Sequence, residues 1–228
     1  MAISRYLHEC AIRAAGVLGD DIEASITMRQ HGVTLRAGSS APDAARCDQA
    51  EAWSDDGPCV EAMITTAVRT VPSVASETRW LTWREQTLRE GFGRALAVPA
   101  QVSPDITIAL NLYSRAPGAW EEHLVRSAES YARLIASAVR LQLQFADLDD
   151  YAAAVYRGVS DAVVVERAVG AVMETNGCTE QEARKFLQSA SGGRGHEERE
   201  IAEFILRSLV VGVEGVEGDI VDHPAPEH

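Results

Sequence analysis

The stretch Ala162–Leu206, AVVVERAVGAVMETNGCTEQEARKFLQSASGGRGHEEREIAEFIL, reads as three short helices. Val164, Val165, Ala168, Val172 and Met173 recur at steps of three and four and share one helical face. Asn176-Gly177 stops that helix, because glycine accepts the left-handed backbone that closes a C-terminus. Thr179 and Glu182 have the spacing of a capping box, in which each side chain takes up a free amide of the next helix. Ala183, Phe186 and Leu187 give that helix an apolar stripe. Gly192-Gly193-Arg194-Gly195 breaks it, and Ile201, Ala202, Ile205 and Leu209 pattern a third.

This register resembles the ANTAR module, a small helical RNA-binding domain found at the C-terminus of bacterial transcription antitermination regulators. The residues that carry the resemblance are Val165, Ala168, Gly170, Val172, Met173 and Glu174. They continue through Gly177, Glu182-Ala183, Leu187, Ser191 and Ile201-Ala202. It implies binding to stem-loop RNA, with Arg167, Arg184, Lys185, Arg194 and Arg199 as the basic side chains available. The sequence departs from the family where basic contacts are usual. Ala162 and Val169 replace an arginine and a lysine, and Gly195, His196, Glu197 and Glu198 replace a basic loop. Val169→Lys with Glu197→Lys is therefore expected to strengthen RNA binding. The alternative reading is a bundle that has lost RNA binding and serves dimerisation or protein docking.

Composition constrains both readings. The chain has 228 residues, 46% of them hydrophobic, enough for two ordinary domains. Its net charge of −13 is uneven: residues 147–228 carry 7 basic and 17 acidic side chains, a net of −10. Phosphate neutralisation by Lys and Arg supplies much of nucleic-acid affinity, so this balance opposes tight RNA binding. No apolar run reaches the roughly 18–20 residues that would span a bilayer. The N-terminus, MAISRYLHECAIRAAG, lacks a secretory h-region. Cys10, Cys47, Cys59 and Cys178 form neither a CxxC pair nor a disulfide framework. A reduced, cytoplasmic protein without membrane partners is expected. Six scattered histidines show no metal-ligand spacing, and no metal or cofactor is assigned.

Upstream, strands alternate with helices. Ser4–Leu18 is a predicted helix, and Ile22–Met28 and Val33–Leu35 are a strand pair around Gln30-His31-Gly32. Ser39–Pro42 is a predicted loop, and Cys47 falls in a loop-like region. A helix follows over Cys59–Ala67, a short strand over Thr70–Val74 and a helix over Thr78–Arg89. Two strands, Ala95–Val102 and Ile106–Tyr113, then flank a turn at Ser103-Pro104-Asp105. The pattern is α+β. DGPCVEAM, VRTVPSV, ETRW, GFGRALAVPAQV and ITIALNLYSRAPGAWEEH, in that order, resemble a GAF domain of the actinobacterial GAF–ANTAR sensors. Ser76 stands where those domains usually place Asp. The combined resemblance implies an antiparallel sheet flanked by helices over 1–146 and an ANTAR-like bundle over 158–212. An acidic tail, expected to be disordered, follows over 213–228.

Between the two domains, Leu134, Ala138, Leu141, Phe145, Leu148, Ala152 and Val155 are spaced 4, 3, 4, 3, 4, 3. That is a heptad seam, so a coiled-coil linker over about 134–157 and a homodimer are expected. A helix packing this stripe on its own domain is the other reading. For the sensor, Trp53, Cys59, Trp80, Asn111 and Tyr113 are the candidate ligand-binding residues, the ligand being unassigned. Aromatic walls with a few polar groups suit small-molecule sites. Cys59 at a helix N-terminus would favour the thiolate. With Cys47 it opens a second alternative, a thiol enzyme reducing free methionine sulfoxide. A buried small hydrophobe is the preferred reading of Cys59, and no enzymatic activity is expected.

Overall fold

His31 and Gly32 both have positive φ, 51° and 76°, which makes a tight hairpin of β1 (Ile22–Gln30) and β2 (Val33–Ser39). The protein, seen here as a computed structural model, is described for backbone residues 3–154, 161–192 and 197–209. Side chains are described for 5–144, 163–191 and 197–206. The remaining strands are β3 (Arg69–Val71), β4 (Arg94–Ser103) and β5 (Ile106–Ser114). They form one antiparallel sheet in the order β2-β1-β5-β4-β3.

The sheet has two unlike faces because its strands alternate with period two. In β5, Ile108, Leu110 and Leu112 point one way and Ala109, Asn111 and Tyr113 the other. The aliphatic face is covered by α1 (Ile3–Leu18) and by the first half of α5 (Glu122–Ala154). Leu7, Ala11 and Ala14 of α1 meet Ile26, Met28, Leu110 and Ile135 in one buried cluster. Each buried Leu, Ile or Met side chain of this cluster contributes about 1.5–3 kcal/mol. At Gly38 a Cβ would collide with the backbone of Leu7 and His8, so glycine is what lets α1 lie this close to β2.

The other face carries small and polar residues and is covered by α2 (Pro42–Ser54), α3 (Pro58–Thr65) and α4 (Leu81–Arg89). Helix α2 corrects the reading of Cys47 as a loop residue. Its buried positions are Ala44, Cys47, Asp48 and Glu51, a true helical face whose last two members are carboxylates. The third strand is shorter than expected, ending at Val71 before Pro72 and a 3-10 turn over Val74–Ser76. Helix α4 starts at Leu81 rather than Thr78, with Trp80 at its N-cap.

The C-terminal bundle matches its sequence pattern. Its helices are α6 (Asp161–Asn176), α7 (Glu180–Gly192) and α8 (Glu198–Leu209). Gly177, at φ 62°, donates its N–H to Met173 O at 2.8 Å. The capping box is formed: Thr179 N–H donates to Glu182 Oε2 at 2.8 Å and Glu182 N–H to Thr179 Oγ1 at 3.4 Å. Ala168, Val172, Ala183, Leu187, Ile201, Ala202 and Ile205 are buried together. The bundle also leans on the first domain. Helix α8 lies against α1 and β2, and α7 faces α2 through Phe186 and Trp53, ring centroids 6.1 Å apart. The sequence tail over 213–228 falls outside the described residues.

Candidate functional site

Asp48 and Glu51 lie one helical turn apart on the inner side of α2, both fully buried. Buried carboxylates are costly unless hydrogen bonds satisfy them. Asp48 Oδ1 accepts from Tyr113 Oη–H at 2.8 Å, and Asp48 Oδ2 accepts from Asn111 Nδ2–H at 3.1 Å. Asn111 Nδ2 also reaches Thr27 Oγ1 at 3.4 Å. Glu51 Oε2 accepts from the backbone N–H of Cys59 at 2.8 Å and of Val60 at 3.4 Å. Those are free amides of the first turn of α3, whose N-cap is Gly57 and has no side chain to offer. Glu51 therefore caps α3 from the neighbouring helix. A Cβ at Gly57 would collide with the Glu51 side chain, which explains the glycine.

Burial dominates the proton chemistry of this cluster. Removal from water lifts the Asp48 carboxyl to about 6, against the pull of its hydrogen bonds and of Arg36. Glu51 is pushed well above the carboxylate range by burial and by the charge of Asp48. Arg36 on β2 is itself drawn down by burial and held up by Asp48. Glu51 Oε1, Asn111 Oδ1, Thr87 Oγ1 and Trp83 Nε1 are buried without a protein hydrogen-bond partner. The cluster thus presents unspent acceptors at Glu51 and Asn111 and unspent donors at Trp83 and Thr87 between the sheet and α2–α4.

Three of the five predicted ligand-site residues meet here. Cys59, Asn111 and Tyr113 surround the two carboxylates. Trp80 is buried in the adjoining apolar cluster, edge-on to Trp83 at 6.0 Å. Trp53 does not join them: it lies on the outer side of α2, 40% exposed, facing α7. Cys59 is fully buried, in line with the preferred reading of a buried small residue rather than with the alternative of an activated thiolate. Burial, with the Glu51 carboxylate seated at the same helix terminus, drives its thiol well above the usual range. Cys47 is likewise buried and its thiol raised. Ser76, in the position noted as a departure, is exposed and bonds only to Ser73 O at 3.2 Å. Asp48, Glu51 and Arg36 were not anticipated. Their signal was Ala44, Cys47, Asp48 and Glu51 at helical spacing, disguised because its second half is acidic.

The basic residues of the bundle are unequally available. Arg184 is held by Glu166 at 2.7 Å and by Glu180 at 2.9 Å, and Arg199 by Glu203 at 2.8 Å. Arg167 and Lys185 are exposed, and Arg194 lies outside the described residues. Val169 is 2% exposed. A lysine there would enter the packed interior, so Val169→Lys does not restore a surface contact, and that expectation is withdrawn. Glu197 and Glu198 are exposed at the start of α8, where a helix N-terminus favours acidic side chains. Ala162 has no described side chain.

Helix α5 uses separate faces. Ala128, Ala132, Ile135 and Val139 pack inward, whereas Leu134 and Leu141 are 62% and 54% exposed and Ala138 is half-buried. The seam's first part is thus not spent on its own domain. The side chains of Phe145, Leu148 and Ala152, and Val155 altogether, lie outside the described residues. No described helix is long and apolar enough to cross a membrane.

Comparison with known proteins agrees with this architecture. Residues 157–206 match the ANTAR domain family. A GAF domain/HD domain protein from Geobacter sulfurreducens superposes with a TM-score of 0.50 at 13% identity, over 63% of this chain and 94% of that one. A domain from Sinorhizobium meliloti 1021 gives a TM-score of 0.50 at 14% identity, over 64% and 97% of the two chains. The GAF domain region of a protein from Geobacter sulfurreducens PCA gives 0.49 at 21% identity, over 61% and 93%. No curated protein matches the chain in sequence. The molecule combines a GAF-type α+β fold with a C-terminal helical bundle whose residues 157–206 match the ANTAR domain family.

Proposed function

We propose that the chain regulates transcription antitermination: its GAF-type domain senses a small molecule, and its ANTAR domain binds stem-loop RNA in nascent transcripts. The observation that carries this reading is the ANTAR match over residues 157–206. The cluster around Asp48, Glu51, Asn111 and Tyr113 is the proposed sensing site, with Cys59 lining it. Its unspent hydrogen-bonding atoms suit a small polar ligand. Sealed thiols at Cys47 and Cys59 favour a ligand over a redox signal, and they favour binding over turnover. The exposed Leu134 and Leu141 support a homodimer through α5. Ligand would act by shifting the population of dimer geometries. Such a role belongs in the cytoplasm.

A second reading has its own support. Arg184 and Arg199 are already paired with glutamates, and Val169 fills a core position. On that reading the ANTAR domain is a dimerisation or docking module that no longer holds RNA. Titration of a dual stem-loop RNA with the purified protein at low and moderate salt separates the two. Saturable binding that weakens on Arg167→Ala supports the first reading. No binding at low salt overturns it in favour of the second.

A further inference from the structure

Helix α2 has a working residue on each side. Inward, Asp48 and Glu51 anchor the buried polar cluster and cap α3. Outward, Gln49 donates from Nε2 to Asn176 O at 2.9 Å, at the end of α6. One turn further, Trp53 meets Phe186 of α7 at 6.1 Å. The Trp53–Phe186 contact borders a cleft of about 330 Å³ between the domains, also lined by Val33, Asp55 and Lys185. Gln49 follows Asp48 directly, and Trp53 lies two residues beyond Glu51. No rotation or shift of α2 can alter one side without altering the other, because a helix moves as a rigid unit.

We propose that α2 is a lever that couples the buried polar cluster to the ANTAR domain, with the docked bundle as the closed state. The inference rests on the sensing reading above. In the closed state Lys185 shares its cleft with Trp53 and Asp55. Lys185 is exposed at the mouth of this cleft, so a stem-loop seated on it would also meet Trp53 and Asp55 of the first domain. Filling or neutralising the inner cluster repositions α2, loosens the Gln49 and Trp53 contacts, and frees α7. This route is separate from the α5 seam, because it runs through the face of the sheet opposite α5.

Amide hydrogen exchange on the full-length chain tests the lever without any RNA. The outer-face variant Gln49→Ala/Trp53→Ala is expected to speed exchange in α7 roughly tenfold, while β1 and β5 keep their protection. The inner-face variants Asp48→Asn and Glu51→Gln preserve shape, the first removing the Asp48 charge and the second replacing the buried Glu51 carboxyl by an amide. Each is expected to change α7 exchange about threefold or more, with the sheet still protected. If sheet protection is lost in both, Tyr113→Phe, which deletes only the hydroxyl held by Asp48, serves the same purpose. Unchanged α7 exchange in a folded inner-face variant overturns the coupling, as does an outer-face variant that leaves α7 as protected as before. Stem-loop titration forms a second arm. Tighter binding by the outer-face variant supports the closed state as the one that withholds RNA. Freed α7 with no RNA binding in any variant overturns the RNA-binding reading and leaves the lever standing.

Discussion

At Asp48 the link between burial and protonation becomes measurable. Its carboxyl rises from an ordinary 3.8 to about 6 in the fold. The unfolded chain loses this proton near 3.8, so between about pH 4 and 6 the folded state holds the extra proton. Stability contributed by this group therefore falls as pH rises through that window, by on the order of 3 kcal/mol. Urea unfolding of wild type and Asp48→Asn across this range should show the variant gaining relative stability as pH increases. A pH-independent difference would contradict the assignment. Thiol chemistry gives a second check. Cys10, Cys47 and Cys59 are buried, and only Cys178 is half-exposed. Ellman's reagent should titrate one thiol rapidly in the native protein and the others only on unfolding. Val169→Lys should lower stability by about 2–4 kcal/mol, since it buries an unpaired charge. A denaturation midpoint equal to that of wild type would show that the site opens to solvent.

Among the elements, α5 carries the clearest prediction. At 33 residues it is about 50 Å long, and Leu134 and Leu141 face away from its own domain. Sedimentation velocity at micromolar concentration should find a dimer, and Leu141→Glu should give monomer because the seam would bury a charge. A monomeric wild type would remove the seam from consideration. Elements differ in how far their residues disclose them. Helices α6–α8 were legible because local signals agree: an apolar stripe, Gly177 at the stop, and a Thr179–Glu182 box at the start. Strands β4 and β5 were legible from alternation. Helix α2 was not, because its buried face ends in Asp48 and Glu51, and hydropathy treats buried carboxylates as surface. Half of the proposed sensing site was hidden for the same reason. Asn111 and Tyr113 can be placed on a strand from the sequence. The partner helix that gives them meaning cannot, since only tertiary packing brings Asp48 into contact with residues 63 and 65 positions away. The placement of Trp53 apart from Asn111 and Tyr113 was not legible either, because an aromatic near a helix end does not disclose which side of the helix it occupies.

Across the whole molecule, charge is arranged against strong nucleic-acid binding. The described bundle offers Arg167 and Lys185 as exposed bases, while Arg184 and Arg199 are held by glutamates. Each phosphate neutralised adds roughly 0.7–0.9 to the salt slope. A dual stem-loop RNA should therefore bind with a log–log slope of roughly −1.5 for each protomer engaged, measured by titration between low and moderate salt. A slope several times steeper would mean that the glutamate pairs open on binding. The placement of the indoles also makes the molecule its own spectroscopic probe. Trp80, Trp83 and Trp120 are almost fully shielded, whereas Trp53 alone stands at the junction of the two domains, 40% exposed. Acrylamide should quench chiefly the Trp53 emission, and separation of the domains should shift that emission to the red. Ligand screening can then follow fluorescence of the unlabelled chain, with Trp53→Phe as the dark control.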